Sequence, residues 1–309
     1  LQGPRIRVGE LPDKGLELRA GQSVQLQTML AQSGGQLGAR SVARAHATIP
    51  EIPVTYPYLA RDLRPGARIL INDGLIELLV DRIAGGAVAC TVATGGLLTS
   101  HKGINLPGTL VSAPTLTDKD REDIRFGIAH GVDYLALSFV RGPEDIAAAR
   151  ALVDKCGGTL PIIAKIERAE AVTALDAILE QADGVMIARG DLGVELSPEA
   201  VPLLQKRIIM EANRRGRLVI TATQMLESMT QALRPTRAEA SDVANAVFDG
   251  TDAVMLSAET AIGAHPVETV QVMDRIIRAA EEGPEPGVRP KRHTDWGDMA
   301  FPEAICTAA

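Results

Sequence analysis

Five short apolar runs, at Tyr134–Val140, Pro161–Ile166, Gly184–Ala188, Leu218–Ala222 and Ala253–Ser257, constrain the fold of this chain more than any other feature. They begin 27, 23, 34 and 35 residues apart, with amphipathic stretches between them. Runs this apolar fit strands buried on both faces of a parallel sheet. Parallel neighbours need a long crossover, usually a helix, and the intervening segments carry helix punctuation. Thr117 precedes a segment over 118–130 with Asp120 three residues on, a capping-box pattern, and Gly131 stands at its far end. Pro143 can open a helix that stops near Gly157. Ser197-Pro198 caps and opens one ending at Gly216, and Pro266 opens another ending near Gly283. The pattern is a βα repeat, as in a (β/α)8 barrel or a doubly wound sheet.

A barrel needs eight strands to remove its edges. Five runs and a strand stub at Leu1–Arg7 are present, so the expected fold class is α/β: a partial (β/α)8 TIM barrel if the repeat is that of a barrel, with the doubly wound sheet still open. Residues 8–106 differ in texture. Short alternating runs such as Ser23–Met29 and Arg68–Ile71 mark strands, and Asn72-Asp73-Gly74 before Leu75–Val80 tolerates the positive φ of a tight turn. Gly/Ser clusters recur at Ser33–Gly38 and Gly85-Gly86, and only Ala39–Ala47 hints at a helix. The expected organisation is a stub over 1–7, an inserted β-rich unit over 8–106, later βα units over 107–284, and over 285–309 a linker and the start of a further helix. The chain begins without Met and ends on a helix-opening Phe301-Pro302-Glu303, which leads to the expectation of a piece of a longer chain.

Composition excludes several classes. At 309 residues, roughly 150 per domain suggests about two domains. A net charge of −7 with no Lys/Arg block, and 3% aromatics, speak against a nucleic-acid partner. No apolar run approaches the ~20 residues of a membrane-spanning helix. Three distant cysteines suggest neither a disulfide framework nor a metal site, so a cytoplasmic protein is expected. The five histidines form no HxH or HExxH pair. There is no P-loop, no GxGxxG after a strand and no HRD or DFG set. Whatever handles phosphate here uses a metal and basic side chains.

The ends of the runs carry candidate chemistry. Lys165 and Glu167 are two apart and so share a side of their strand. A Lys and a carboxylate at a strand's C-terminal end read as catalytic on a barrel, or equally as a strand-end salt bridge. Asp191 lies between Gly190 and Gly193, which would let the backbone bend sharply and offer N–H groups to an anion; a turn device is the plainer reading. Were Asp191 to meet Glu167, two hard carboxylates with positions left for water and phosphate would suit Mg2+ over Ca2+ or Zn2+. Thr223 would share a face with Thr221, though a strand-end threonine is most often just β-propensity. Ser138-Phe139 and Ser257-Ala258-Glu259 close two further runs on the same rim.

With these residues in view, the chain resembles the pyruvate kinase family. The matching segments are LQGPRIR at residues 1–7, HKGINLPG at 101–108, AKIE at 164–167, ARGDLGVE at 188–195, TATQMLESM at 221–229, RPTRAE at 234–239 and MLSAET at 255–260. The resemblance implies a (β/α)8 barrel whose inserted unit is a small β-barrel lid over the active site. It implies Mg2+-dependent transfer of phosphoryl from phosphoenolpyruvate to ADP, giving pyruvate and ATP, with Mn2+ as a substitute metal. It implies that Glu167 and Asp191 bind the metal, that Lys165 meets the phosphoryl group and steadies the enolate, and that Arg7 holds phosphoryl oxygens. Gly190 and Asp191 would offer backbone N–H groups to the substrate carboxylate, Thr223 would bind that region near the site of enolate protonation, and Lys102 would contact nucleotide phosphate. Residues 234–239 resemble a stretch near a subunit contact, which implies a homotetramer.

One departure concerns potassium. Family members that require K+ carry a glutamate where this chain has Arg5, and K+-independent members carry a lysine. Leu1, Gln2, Arg5 and Val8 resemble the second set, so Arg5 is expected to supply the charge that K+ otherwise brings. The resemblance leaves the family's N-terminal barrel strands and C-terminal domain without counterparts, so these residues expressed alone are expected to be inactive. Two other readings remain: another Mg2+-dependent phosphoenolpyruvate/pyruvate barrel enzyme, and a binding-only remnant.

Overall fold

The computed structural model describes residues 1–28 and 49–283. The Gly/Ser cluster at Ser33–Gly38, the helix expected near Ala39–Ala47 and the linker over 285–309 lie outside the described residues. The β-rich part holds β1 (Leu16–Leu18), β2 (Ser23–Thr28), β3 (Glu51–Val54), β4 (Arg68–Ile71), β5 (Ile76–Ala84), β6 (Ala87–Thr94), β7 (Gly96–Leu98) and β8 (Ile104–Asn105), with a single-turn helix, α1 (Leu59–Asp62). Alternation builds it: β2 buries Val24, Leu26 and Thr28 and leaves the residues between them less covered. Asn72, Asp73 and Gly74 take φ of 55°, 55° and 84°, and fold β4 back on β5 as that tripeptide predicts.

Six of these strands form one sheet in the order β3-β2-β6-β5-β4-β8, while β1 and β7 pair separately. Among the described residues β3 and β8 stand at the two ends of this sheet. Residues 7 and 8 run between those edges, with Val8 bridged to Val54 and Arg7 to Gly103. Neither bridge grows into a ladder. Pro53 has no N–H to donate, and His101 at φ 63° turns the chain away.

The second part alternates strands and helices: α2 (Asp118–Ala129), β9 (Leu135–Leu137), α3 (Pro143–Lys155), β10 (Ile162–Ile166), α4 (Ala169–Thr173), α5 (Leu175–Gln181), β11 (Gly184–Ala188), α6 (Arg189–Glu195), α7 (Val201–Arg214), β12 (Leu218–Ala222), α8 (Arg237–Phe248), β13 (Ala253–Met255), α9 (Ala258–Ala261) and α10 (Pro266–Glu281). The five strands are parallel and pair in sequence order. A doubly wound sheet reverses its order at a switch point; this one does not, so of the two expected folds the order is that of a barrel segment. Ala164, Ile166, Val185, Ile187 and Val219 cluster with Ile146, Ile178 and Ile208 of the helices. Ile163, Met186 and Ala222 form a separate cluster on the other face. Lys165, two residues after Ile163, belongs to that inner face.

Several expectations need correction. Residues 1–5 form no strand. Gly3 takes φ 64° and its carbonyl accepts from Arg5 N–H, so the segment turns, and its contact with the sheet is the Leu1 amine donating to Ala136 O at 2.6 Å. β9 spans three residues, because Phe139 at φ 57° breaks the extension. The α2 capping box at Thr117/Asp120 forms as expected, and Thr236/Glu239 forms a second before α8. Ser197 makes no side-chain cap; a 3-10 turn at Pro198–Ala200 leads into α7 instead.

Candidate active site

The ends of β9 to β12 bring polar groups to one cleft. Lys165, in β10, places Nζ 2.6 Å from Glu167 Oε1 and donates to Ser138 Oγ at 3.0 Å. Glu167 is 2% exposed, and its Oε2 accepts the Phe139 N–H at 2.7 Å. The left-handed turn at Phe139 lets that N–H meet the carboxylate. The salt bridge expected between Lys165 and Glu167 thus exists, on a carboxylate held from two sides.

Asp191 sits in the first turn of α6, half-buried. Burial and then the Glu167 charge push its carboxyl up to about 6, against the pull of Lys165 and Arg5. The charge of Glu167, 24 residues away along the chain, thus acts on Asp191. Gly190 and Gly193 do not bend the chain sharply. Both lie inside α6, and neither has a positive φ. The Gly190 N–H is engaged, donating to Thr223 Oγ1 at 2.8 Å. Thr223 lies past the end of β12 at φ 70°, so the alternation that would put it on one face with Thr221 is broken; the Thr221 hydroxyl instead donates to Thr251.

Arg5 lines the cleft with Asp73, Phe139, Arg141, Arg168 and Asp191. Asp73 belongs to the β4–β5 turn, which the sequence marked only as a turn. Arg7 and Lys102 are neighbours through their backbones: Val8 N–H donates to Lys102 O at 2.9 Å, beside the Arg7–Gly103 bridge. Arg7 is half-buried, and its backbone exchanges hydrogen bonds with Thr55.

Among the described residues, no three His, Cys, Asp or Glu side chains come together as a metal cluster. The donor set is two carboxylates. Glu167 already has an ammonium and an N–H, whereas among the described residues no protein donor meets the Asp191 carboxylate. Two carboxylates, with the Asp191 group raised by burial and by the Glu167 charge, suit a hard divalent cation that keeps water ligands.

Sequence reasoning missed Arg141, Arg168, Arg189 and Glu195. Arg141 donates to Val111 O and Ala113 O and pairs with Asp145, so it ties the approach to α2 onto α3. Glu195 is buried, and among the described residues neither carboxylate oxygen has a hydrogen-bond partner. Arg168 Nη2 lies 3.4 Å away without hydrogen-bond alignment, because it serves Glu170 and Thr109 O. Burial therefore outweighs Arg168 and lifts the Glu195 carboxyl to about 7. A carboxyl whose folded pKa is raised stabilises the fold at low pH, and that stability is lost as pH rises through about 7. Glu195→Gln is expected to raise Tm at pH 8 by several degrees and to flatten the fall in Tm between pH 5 and 8. Thermal melts across that range check it, and a variant that keeps the wild-type slope would refute it.

No helix among the described residues is long and apolar enough to cross a membrane. A family model described as "Pyruvate kinase, barrel domain" matches residues 1–270. "Pyruvate kinase 2" of a Synechocystis species is 50% identical over 91% of this chain and 46% of its own length. "Pyruvate kinase" of Corynebacterium efficiens is 46% identical over 91% of this chain and 56% of its own. "Pyruvate kinase" of Sporosarcina psychrophila is 46% identical over the whole of this chain and 51% of its own. The chain thus spans about half the length of the curated relatives it matches.

Proposed function

Because the chain belongs to the pyruvate kinase family, we propose that it forms the active-site portion of an enzyme transferring phosphoryl from phosphoenolpyruvate to ADP, giving pyruvate and ATP. The observation that carries the proposal is the ammonium of Lys165 placed 2.6 Å from Glu167, with the Glu167 charge helping to raise the Asp191 carboxyl. Glu167 and Asp191 would hold Mg2+ or Mn2+. When bound, the metal supplies concentrated positive charge next to the transferring phosphoryl group.

The protein's own groups do the rest. Phosphoryl transfer needs positioning and charge neutralisation rather than covalent chemistry. Lys165, fixed by Glu167 and Ser138, meets the phosphoryl oxygens and then steadies the enolate oxygen left behind. Arg7 adds a second cation on the phosphoryl group, and Lys102 serves the nucleotide phosphates. The Thr223 oxygen accepts from Gly190 N–H, which leaves its own hydrogen to donate into the cleft, toward the substrate carboxylate and the relay that protonates the enolate. The substrate carboxylate then meets Thr223 and the Asp191 N–H rather than a free Gly190 N–H. The unit over 8–106 acts as a lid whose closure excludes water, and its β4–β5 turn already brings Asp73 to the cleft. A homotetramer in the cytoplasm completes the reading.

Arg5 would supply the charge otherwise brought by K+, since it lines the cleft with Asp191 and pulls against the rise of that carboxyl. A coupled assay on the full-length enzyme tests both statements. Pyruvate should form from phosphoenolpyruvate with ADP and not with aldehyde acceptors, and turnover should persist in buffer free of K+. Activity with an aldehyde acceptor alone would point to a C–C lyase instead. Turnover that begins only on adding K+ would remove the role given to Arg5.

A further inference from the structure

Thr223 and Gln224 have φ of 70° and 53°. Non-glycine residues hold such angles at an energetic cost, and only where their surroundings over-determine them. For a β-branched threonine the angle is a true outlier. One side chain meets this whole strained turn. Arg189 donates from Nε to Ala222 O at 3.3 Å and from Nη2 to Thr223 O at 2.8 Å and Gln224 O at 3.4 Å. It contacts Met225 Sδ as well. Its remaining nitrogen, Nη1, is anchored 2.7 Å from Asp242 of α8, with Gln205 of α7 at 3.3 Å. The Arg189 side chain is 10% exposed. From the far side, Leu226 N–H donates to the buried Glu259.

We infer that Arg189 is a positioning residue, whose guanidinium holds three successive carbonyls and so keeps Thr223–Gln224 left-handed, with the Thr223 hydroxyl against the Gly190 N–H. A guanidinium suits this because its donors lie in a rigid planar fork. One face of the fork follows the strained carbonyls while the other stays on Asp242. Lysine has one nitrogen and cannot span both. Arg189 touches no substrate in this scheme and acts only through Thr223. The inference rests on the proposed phosphoryl transfer for its effect on rate and on the geometry alone for its effect on the turn.

The test uses Arg189→Gln, Arg189→Lys and the double variant Arg189→Gln/Gln224→Gly in the full-length enzyme. Gln224→Gly makes the left-handed angle easy at a residue outside the catalytic set. Arg189→Gln and Arg189→Lys are each expected to lower kcat by about 10- to 100-fold, the scale of a small misplacement in an active site, with KM for ADP unchanged. Adding Gln224→Gly is expected to recover about fivefold of that loss, while Gln224→Gly alone leaves kcat near wild type. The Gly190 amide resonance should shift in Arg189→Gln and move back in the double variant. A folded Arg189→Gln protein with wild-type kcat and an unmoved Gly190 amide would overturn the inference. So would a rate loss that Gln224→Gly does nothing to repair. If the wild-type enzyme formed no pyruvate, the proposed function would fail, and the amide shifts would decide the positioning role by themselves.

Discussion

Replacing Lys165 by methionine is expected to lower pyruvate formation by about 1,000-fold at saturating substrates, the scale of losing a preorganised charge at developing negative charge. Methionine keeps the length and apolar stem of lysine, so the inner face of the sheet around Ile163 and Met186 stays filled. Only the ammonium goes. In the wild type that ammonium is half-buried and held by Glu167 and Ser138, so in the proposed reaction it would need no reorganisation to meet the phosphoryl group. Arginine is not expected to rescue the variant, because a longer planar group cannot occupy a point between Ser138 Oγ and Glu167. Losing the ammonium leaves Glu167 buried with one fewer partner, and removing one member of a buried pair destabilises by about 3–5 kcal/mol. Turnover is therefore to be expressed per folded molecule, from circular dichroism on the same sample. A folded Lys165→Met enzyme within tenfold of wild type would remove Lys165 from the chemistry.

The second large effect concerns the acidic pair. Asp191→Asn is expected to weaken binding of Mn2+, followed by its paramagnetic effect on water protons, by about 100-fold or more, since a hard cation loses a charged oxygen. In the wild type a proton competes for Asp191. Its carboxyl, at about 6 in the metal-free protein, is mostly protonated below that pH. Apparent affinity should fall about tenfold per pH unit below 6 and level off above it, and Asp191→Asn should lose that slope. Glu167→Gln should weaken binding as well, and it leaves the Lys165 ammonium without its carboxylate partner. Mn2+ affinity unchanged by Asp191→Asn would place the metal elsewhere and undo the assignment of both carboxylates.

These outcomes depend on features of two kinds. The strands at Gly184–Ala188 and Leu218–Ala222 could be read from the chain to the residue, because an inner strand of a parallel sheet is a short, mostly apolar run and its flanks supply the turns. The Thr117/Asp120 capping box was legible for the same local reason: its two hydrogen bonds join residues three apart. Lys165 and Glu167 were paired by the period of two along an extended chain. Asn72-Asp73-Gly74 turned where glycine and its polar neighbours tolerate positive φ. In each case the determining contact lies within a few residues.

What the tertiary structure alone decided is non-local. Periodicity and spacing alone do not say that the Glu167 charge acts on Asp191, which only the resemblance implied, or that the Asp73 turn lines a cleft with Asp191. Strand pairing placed them, through registers such as Lys165 with Met186 and Ala188 with Ala222. The left-handed angles at Phe139 and Thr223 contradict the extended reading of their runs, because Glu167 holds the N–H of one and Arg189 the carbonyl of the other. Arg189 had no reading in the sequence; its partners on the strained turn and on α8 lie 33 to 53 positions away. Glu195 had no reading in the sequence; packing covers it and, among the described residues, supplies its carboxylate oxygens no hydrogen-bond partner. The chain itself determined which segments become strands, helices and turns, since backbone preference and apolar periodicity act over a few residues. Which charges meet was left to the assembled sheet, since their interaction depends on distance in space and on the water removed between them.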